Sequence, residues 1–140
     1  LALEDIPRLG KELPPRVRDR VKTALEQMNE QLGRVKRAIS HRILQAIEYY
    51  IANHPRVRIA DASSDEPWQR AFADQLVQKV LPKLRGIDNH SKEGKQCLGS
   101  FESLLSDYAV ELLQDFRQAR QSGDQFIWTS ARYLDDEQAR

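Results

Sequence analysis

Apolar residues return every three or four positions along most of this 140-residue chain, the period of helices that bury one face. Val17, Val21, Leu25, Met28 and Leu32 follow it, and so do Val35, Ile39, Ile43, Ile47 and Ile51. Phe72, Leu76, Val80 and Leu84 recur at intervals of four, and Leu98, Phe101, Leu105, Tyr108, Leu112 and Phe116 alternate between three and four. With only 6 glycines, the composition favours a helical protein over a sandwich or barrel. The pattern therefore predicts an all-α fold, a four-helix domain with a short extended C-terminal tail. Residues 1–134 form one helical domain on this reading, and 135–140 a frayed tail.

The first helix is expected over residues 15–32, with Pro14 and Pro15 at its start, where a missing amide costs nothing, and Gly33 at its end. A second is expected over 34–53, its stripe widened by Ala38, Ala46 and Tyr50 into a core-facing helix. Val57, Arg58 and Ile59 read as a short extended stretch, and residues 61–65 carry turn chemistry. Ser64 or Asp65 then caps the third helix, with Pro67 in its first turn. That helix closes on LVQKVLPKLRG, Leu76 to Gly86. Pro82 has no amide donor and must bend or end it, and Gly86 suits the left-handed capping conformation. Lys83 and Arg85 place positive charge at its carbonyl end. After a loop over 87–94, the fourth helix is expected over about 95–121, with Gly94 and Gly99 weakening its beginning. The cluster Phe126, Ile127, Trp128 and Thr129 is expected to lie against the helices.

The formal charge of +1 hides an asymmetry. Residues 1–60 hold twelve Lys and Arg against seven Asp and Glu, whereas 61–140 hold ten against fourteen. A basic half suits either a solvated helix face or a surface that meets phosphate. The single cysteine, Cys97, can make neither an internal bridge nor a zinc cluster, and it fits a reducing cytoplasm. No apolar run approaches the roughly 20 residues of a membrane span, and no signal peptide is visible. The first residue is Leu1 rather than methionine, so the chain reads as a piece of something longer.

Catalytic motifs are scarce. There is no GxxxxGK[ST] loop, no GxGxxG after a strand, no HExxH and no calcium loop. His41, His54 and His90 show no ligand spacing with Cys97, so no metal site is expected. One cluster stands out: Arg34, Lys36, Arg37, His41 and Arg42. On a continuous second helix Arg34, Arg37 and His41 would share a face, with Arg42 a step around it. Phe126, Ile127, Trp128 and Tyr133 form a second group, which suits packing better than base stacking.

The order of these elements resembles the C-terminal helical lid of McrB-like AAA+ ATPases, the motors of modification-dependent restriction systems. Leu25 to Leu32 (LEQMNEQL) is similar to that family's leucine-asparagine helix after the ATPase core. Ile39-Ser40-His41-Arg42-Ile43, running on to Ile47-Glu48-Tyr49-Tyr50-Ile51, is similar to its next helix. Phe72 to Gly86 matches best, and Gly123 to Trp128 is similar to the family's glycine-aromatic ending. The resemblance implies a lid over a nucleotide, ATP or GTP with Mg2+, bound by an upstream ATPase core of the same polypeptide, with neighbouring subunits as partners. It implies a nucleotide-sensing role for Arg42, although His41 stands where the family more often has a glycine or an aromatic. It implies no catalysis and no cofactor for the isolated chain, and a setting in nucleic-acid restriction or defence.

Two other readings compete. Arg34 and His41, with six residues between them, look like the R-x(4–6)-H motif of HEPN ribonucleases, in which histidine moves the proton and arginine holds the phosphate. Seven residues make two helical turns, so the motif requires both on one helix. The third reading is a non-catalytic helical interaction module, its basic face (Arg34, Lys36, Arg37) binding nucleic acid or a protein partner.

Overall fold

The computed structural model describes residues 13–54, Val57 and 66–128. Five α-helices have described bounds: α1 (Pro15–Arg34), α2 (His41–Asn53), α3 (Glu66–Gln75), α4 (Lys92–Tyr108) and α5 (Leu113–Gln121). A π-helical turn, Leu76–Val80, and a 3₁₀ turn, Leu81–Leu84, extend α3, and the 3₁₀ turn Val110–Leu112 joins α4 to α5. The fold is all-α, and the only β pairing among the described residues is an antiparallel bridge between Asp88 and Gln125. α1 lies along α4, α2 packs on α3, and α5 folds back on α4.

Helix α1 begins at Pro15 as expected but runs through Gly33 to Arg34. It ends in a Schellman motif: the Arg37 amide donates to the Leu32 carbonyl at 2.8 Å and the Lys36 amide to Gly33 at 3.1 Å. Lys36, not a glycine, takes the left-handed position, with φ of 63°. The continuous helix expected over 34–53 is therefore interrupted, and α2 starts at His41 with Ser40 as its cap, the hydroxyl accepting from the Ile43 amide. Asn29 fixes the connector. Its Oδ1 accepts from the Ile39 amide at 2.8 Å while its Nδ2 donates to the Ile39 carbonyl at 3.3 Å. Val35 and Ile39 keep their apolar contacts from this loop rather than from a helix.

Pro82 has the consequence its chemistry demands. The backbone widens before it, with the Leu81 amide donating to Leu76 five residues back, and then tightens into the 3₁₀ turn. The change of pitch leaves Leu76, Val80, Leu81 and Leu84 all fully buried. Gly86 follows at φ of 87°. Val57 is helical rather than extended and packs on the core; Arg58, Ile59, the turn at 61–65 and the Ser64 or Asp65 cap lie outside the described residues. So do Thr129, Tyr133, the tail 135–140 and both ends of the 1–134 domain.

The expected fourth helix is two helices. It starts at Lys92, capped by Ser91, and breaks at Ala109, with φ of −150° and ψ of 60°. In a straight helix Phe101 and Phe116 would stand about 22 Å apart. Their rings instead stack with centroids 6.4 Å apart, which requires the reversal. Glu102 secures the same pairing by accepting from Arg117 at 3.4 Å and Arg120 at 3.2 Å. Phe126 lies fully buried 4.9 Å from Phe116, so the tail packs on the helices as expected. Its backbone also pairs with the 86–89 loop, through Gly86 N to Phe126 O at 2.8 Å and Phe126 N to Ile87 O at 2.7 Å.

Two glycines of α4 have opposite status. A Cβ at Gly94 would lie 1.9 Å from the Asp88 carbonyl oxygen, whereas one at Gly99 would meet only Arg120 Nη1 at 3.9 Å. Gly94→Ala should therefore cost about 2–3 kcal/mol by forcing backbone apart. Gly99→Ala should gain about 0.5–1 kcal/mol from helix propensity alone. Urea unfolding of the two variants checks both signs.

Candidate phosphate-facing cations

The basic cluster divides according to what each side chain already holds. Arg34, the last residue of α1, pairs with Glu30 at 3.4 Å on an exposed face, an interaction worth little in solvent. Arg37 leaves its own loop entirely. Its Nη1 donates to the Lys83 carbonyl at 2.9 Å and also to the Arg85 carbonyl. The guanidinium thereby answers carbonyls that the 3₁₀ turn leaves open, a role that sequence spacing assigned to charge on Lys83 and Arg85 themselves. The side chains of Lys36, His41 and Arg42 are exposed and make no hydrogen bond or ion pair among the described residues.

Arg34 and His41 fall on different helices, separated by the left-handed turn at Lys36 and the extended run to Ser40. The shared helix face that the ribonuclease motif requires is absent from this fold. Arg42 occupies the second position of α2, within the first turn and two residues from the Ser40 cap. Its helix is anchored by the buried Ile47 and Ile51, so the guanidinium projects from a fixed base.

Sequence reasoning missed a group of titratable residues between α2 and α3. The Tyr50 and His54 rings meet edge to face at 5.8 Å, one helical turn apart. Burial pushes the Asp74 carboxyl above the ordinary range, while the charges of His54 and Arg70 pull it back down. Burial also raises the Tyr50 phenol, and Asp74 adds to the shift. Only tertiary packing brings these residues together, so no local motif announces them. Cys97 is buried, and burial raises its thiol more than Arg37 lowers it, so it is a poor nucleophile.

An open groove of about 340 Å³ lies elsewhere, lined by Gln69 and Arg70 of α3 and residues 106–111 at the α4–α5 break. None of the cations singled out above lines it. Among the described residues no three His, Cys, Asp or Glu side chains gather as a metal site, and no helix is long and apolar enough to cross a membrane.

The molecule is thus an all-α domain in which three exposed basic residues without a side-chain partner among the described residues, Lys36, His41 and Arg42, stand where α1 gives way to α2. The chain belongs to the DUF8727 family, described as a domain of unknown function, whose profile matches residues 3–136. No curated protein and no solved structure matches it.

Two predictions follow from this geometry. Arg37→Ala should cost roughly 1 kcal/mol by exchanging two charge-assisted bonds for bonds to water, and Arg37→Lys should recover only part of that, since one ammonium cannot reproduce the planar donor. Chemical denaturation of both variants measures the difference. For Asp74 the folded-state pKa is raised above the ordinary 3.8, so its contribution to stability is present at acid pH and lost as pH rises through the raised value. Asp74→Asn should therefore stabilise the protein relative to wild type near pH 7, with the advantage vanishing below about pH 3.8. Thermal unfolding across that range tests the sign.

Proposed function

We propose that this domain is the helical lid of a McrB-like AAA+ ATPase, with Arg42 as its nucleotide-sensing residue. The observation that carries the reading is the state of Arg42: exposed in the first turn of a capped helix and without a side-chain partner among the described residues, while Arg34 and Arg37 are both engaged. An arginine that meets a γ-phosphate needs this combination of a fixed base and a free guanidinium. The resemblance of LVQKVLPKLRG and its flanking helices to that family supplies the rest of the argument.

On this reading ATP or GTP with Mg2+ is bound by a core upstream in the same polypeptide. The lid closes over it and packs against neighbouring subunits, in a cytoplasmic system that restricts foreign nucleic acid. The chain contributes one charge to the nucleotide and no phosphate-cradling loop, so it hydrolyses nothing alone.

Arg42→Ala in the intact polypeptide should lower nucleotide turnover by at least about tenfold, a loss of roughly 1.4 kcal/mol. The fold should be undisturbed, since the side chain supports nothing internal. Unchanged nucleotide affinity and unchanged turnover in that variant would overturn the assignment.

A further inference from the structure

We propose that Lys36, Lys83 and Arg85 form one contact surface for the phosphate backbone of a nucleic-acid duplex, assembled by Arg37. Lys36 lies 47 and 49 positions from Lys83 and Arg85, and nothing in the sequence groups it with them. The structure does. Arg37 Nη1 binds the carbonyls of both Lys83 and Arg85, and its Nη2 lies 3.8 Å from where a Cβ on Gly86 would stand. Lys36 precedes Arg37 directly. All three side chains are exposed.

The geometry of each backbone is set independently of any ligand. Lys36 is held in the left-handed position by the Schellman bonds to Leu32 and Gly33. Lys83 and Arg85 flank the 3₁₀ exit and the left-handed Gly86, and Gly86 is tied to Phe126. Because Arg37 commits its Nη1 to the two carbonyls, it serves as a positioning residue, leaving its neighbours' heads for solvent or ligand. Of the acids near these residues in sequence, Glu30 pairs with Arg34, and Asp88 Oδ1 is turned to the His90 amide.

The chemistry favours a duplex backbone over other polyanions. Among the described residues the exposed large apolar side chains are Tyr49, Tyr50, Val110 and Ile127; only Ile127 comes near this surface, following Phe126, whose carbonyl accepts from the Gly86 amide. Among the described residues it therefore offers no exposed aromatic platform for unstacked bases, and a single isoleucine is a small wedge for a lipid leaflet. Fixed cations with so little apolar surface suit phosphates at regular spacing. This inference does not rest on Arg42 or on the lid reading.

The test uses the 140-residue chain and a short mixed-sequence DNA duplex. Three phosphate contacts give a slope of log affinity against log salt of about −2.7, so affinity should fall roughly forty-fold between 50 and 200 mM salt. Lys36→Gln, Lys83→Gln and Arg85→Gln should each reduce the slope by about 0.9, with helical content unchanged by circular dichroism. Arg18→Gln and Lys22→Gln, roughly 18–24 Å back along α1 from Arg34, should leave it unchanged. No duplex binding at 50 mM salt would overturn the proposal. So would an unaltered slope in the triple variant, an equal loss in the α1 controls, or binding confined to anionic vesicles. Failure here leaves nucleotide turnover of the Arg42 variant untouched, so the two readings fall separately.

Discussion

Helix α3 runs into a proline, and the carbonyls released there are answered by a guanidinium from another loop. Much of the molecule's layout depends on that bond set. Pro82 forces the change from α to π to 3₁₀ pitch, which turns four aliphatic side chains into the core but leaves Lys83 and Arg85 with unpaired carbonyl oxygens. Arg37 reaches both. It can do so only because α1 stops at Arg34 and the chain reverses through Lys36. A helix continuing from residue 34 would carry Arg37 along its own axis. The interruption of one helix and the termination of another are thus mutually dependent.

Helical class, the start of α1, the proline stop and the capping glycine were legible in the sequence, because each depends on residues within a turn or two of one another. The breaks were not. Val35, Ile39, Ile43, Ile47 and Ile51 keep helical spacing, yet only the last three are helical. The apolar stripe is satisfied equally well by a loop that Asn29 holds in place across ten residues. Ser40 was a readable cap signal, but periodicity on both sides of it outweighs a single hydroxyl. The break at Ala109 carries no glycine or proline at all. Its cause is long-range: the stacking of Phe101 on Phe116, the burial of Phe126 and the Glu102 pairs all require α5 to fold back.

The candidate site was legible in part. The sequence located the basic cluster but treated its members as equivalent charges on one helix. Tertiary structure distributes them among three situations: a weak surface pair at Arg34, a structural brace at Arg37, and free heads at Lys36, His41 and Arg42. It also adds Lys83 and Arg85, which periodicity had presented as mere helix-end charge. The Tyr50–His54–Asp74 contact belongs to the same category of unreadable feature, since α2 and α3 must already be packed for it to exist.

Local costs concentrate where α1 meets α2, and this argues that the segment is shaped by something besides stability. A lysine at φ of 63° stands where glycine would avoid about 1–2 kcal/mol of steric cost. The first turn of α2 contains no acid and carries Arg42, an arrangement opposed by the helix dipole at roughly 0.3–1 kcal/mol. A sequence selected only to fold would place glycine at the first position and aspartate or glutamate at the second. The same residues that are poor choices for the apo fold are good ones for an anion, which would relieve the repulsion among the cations and complement the exposed helix end. That coincidence supports an anionic ligand at this corner, whether a nucleotide facing Arg42 or a nucleic-acid backbone facing Lys36 and its partners across the Arg37 brace.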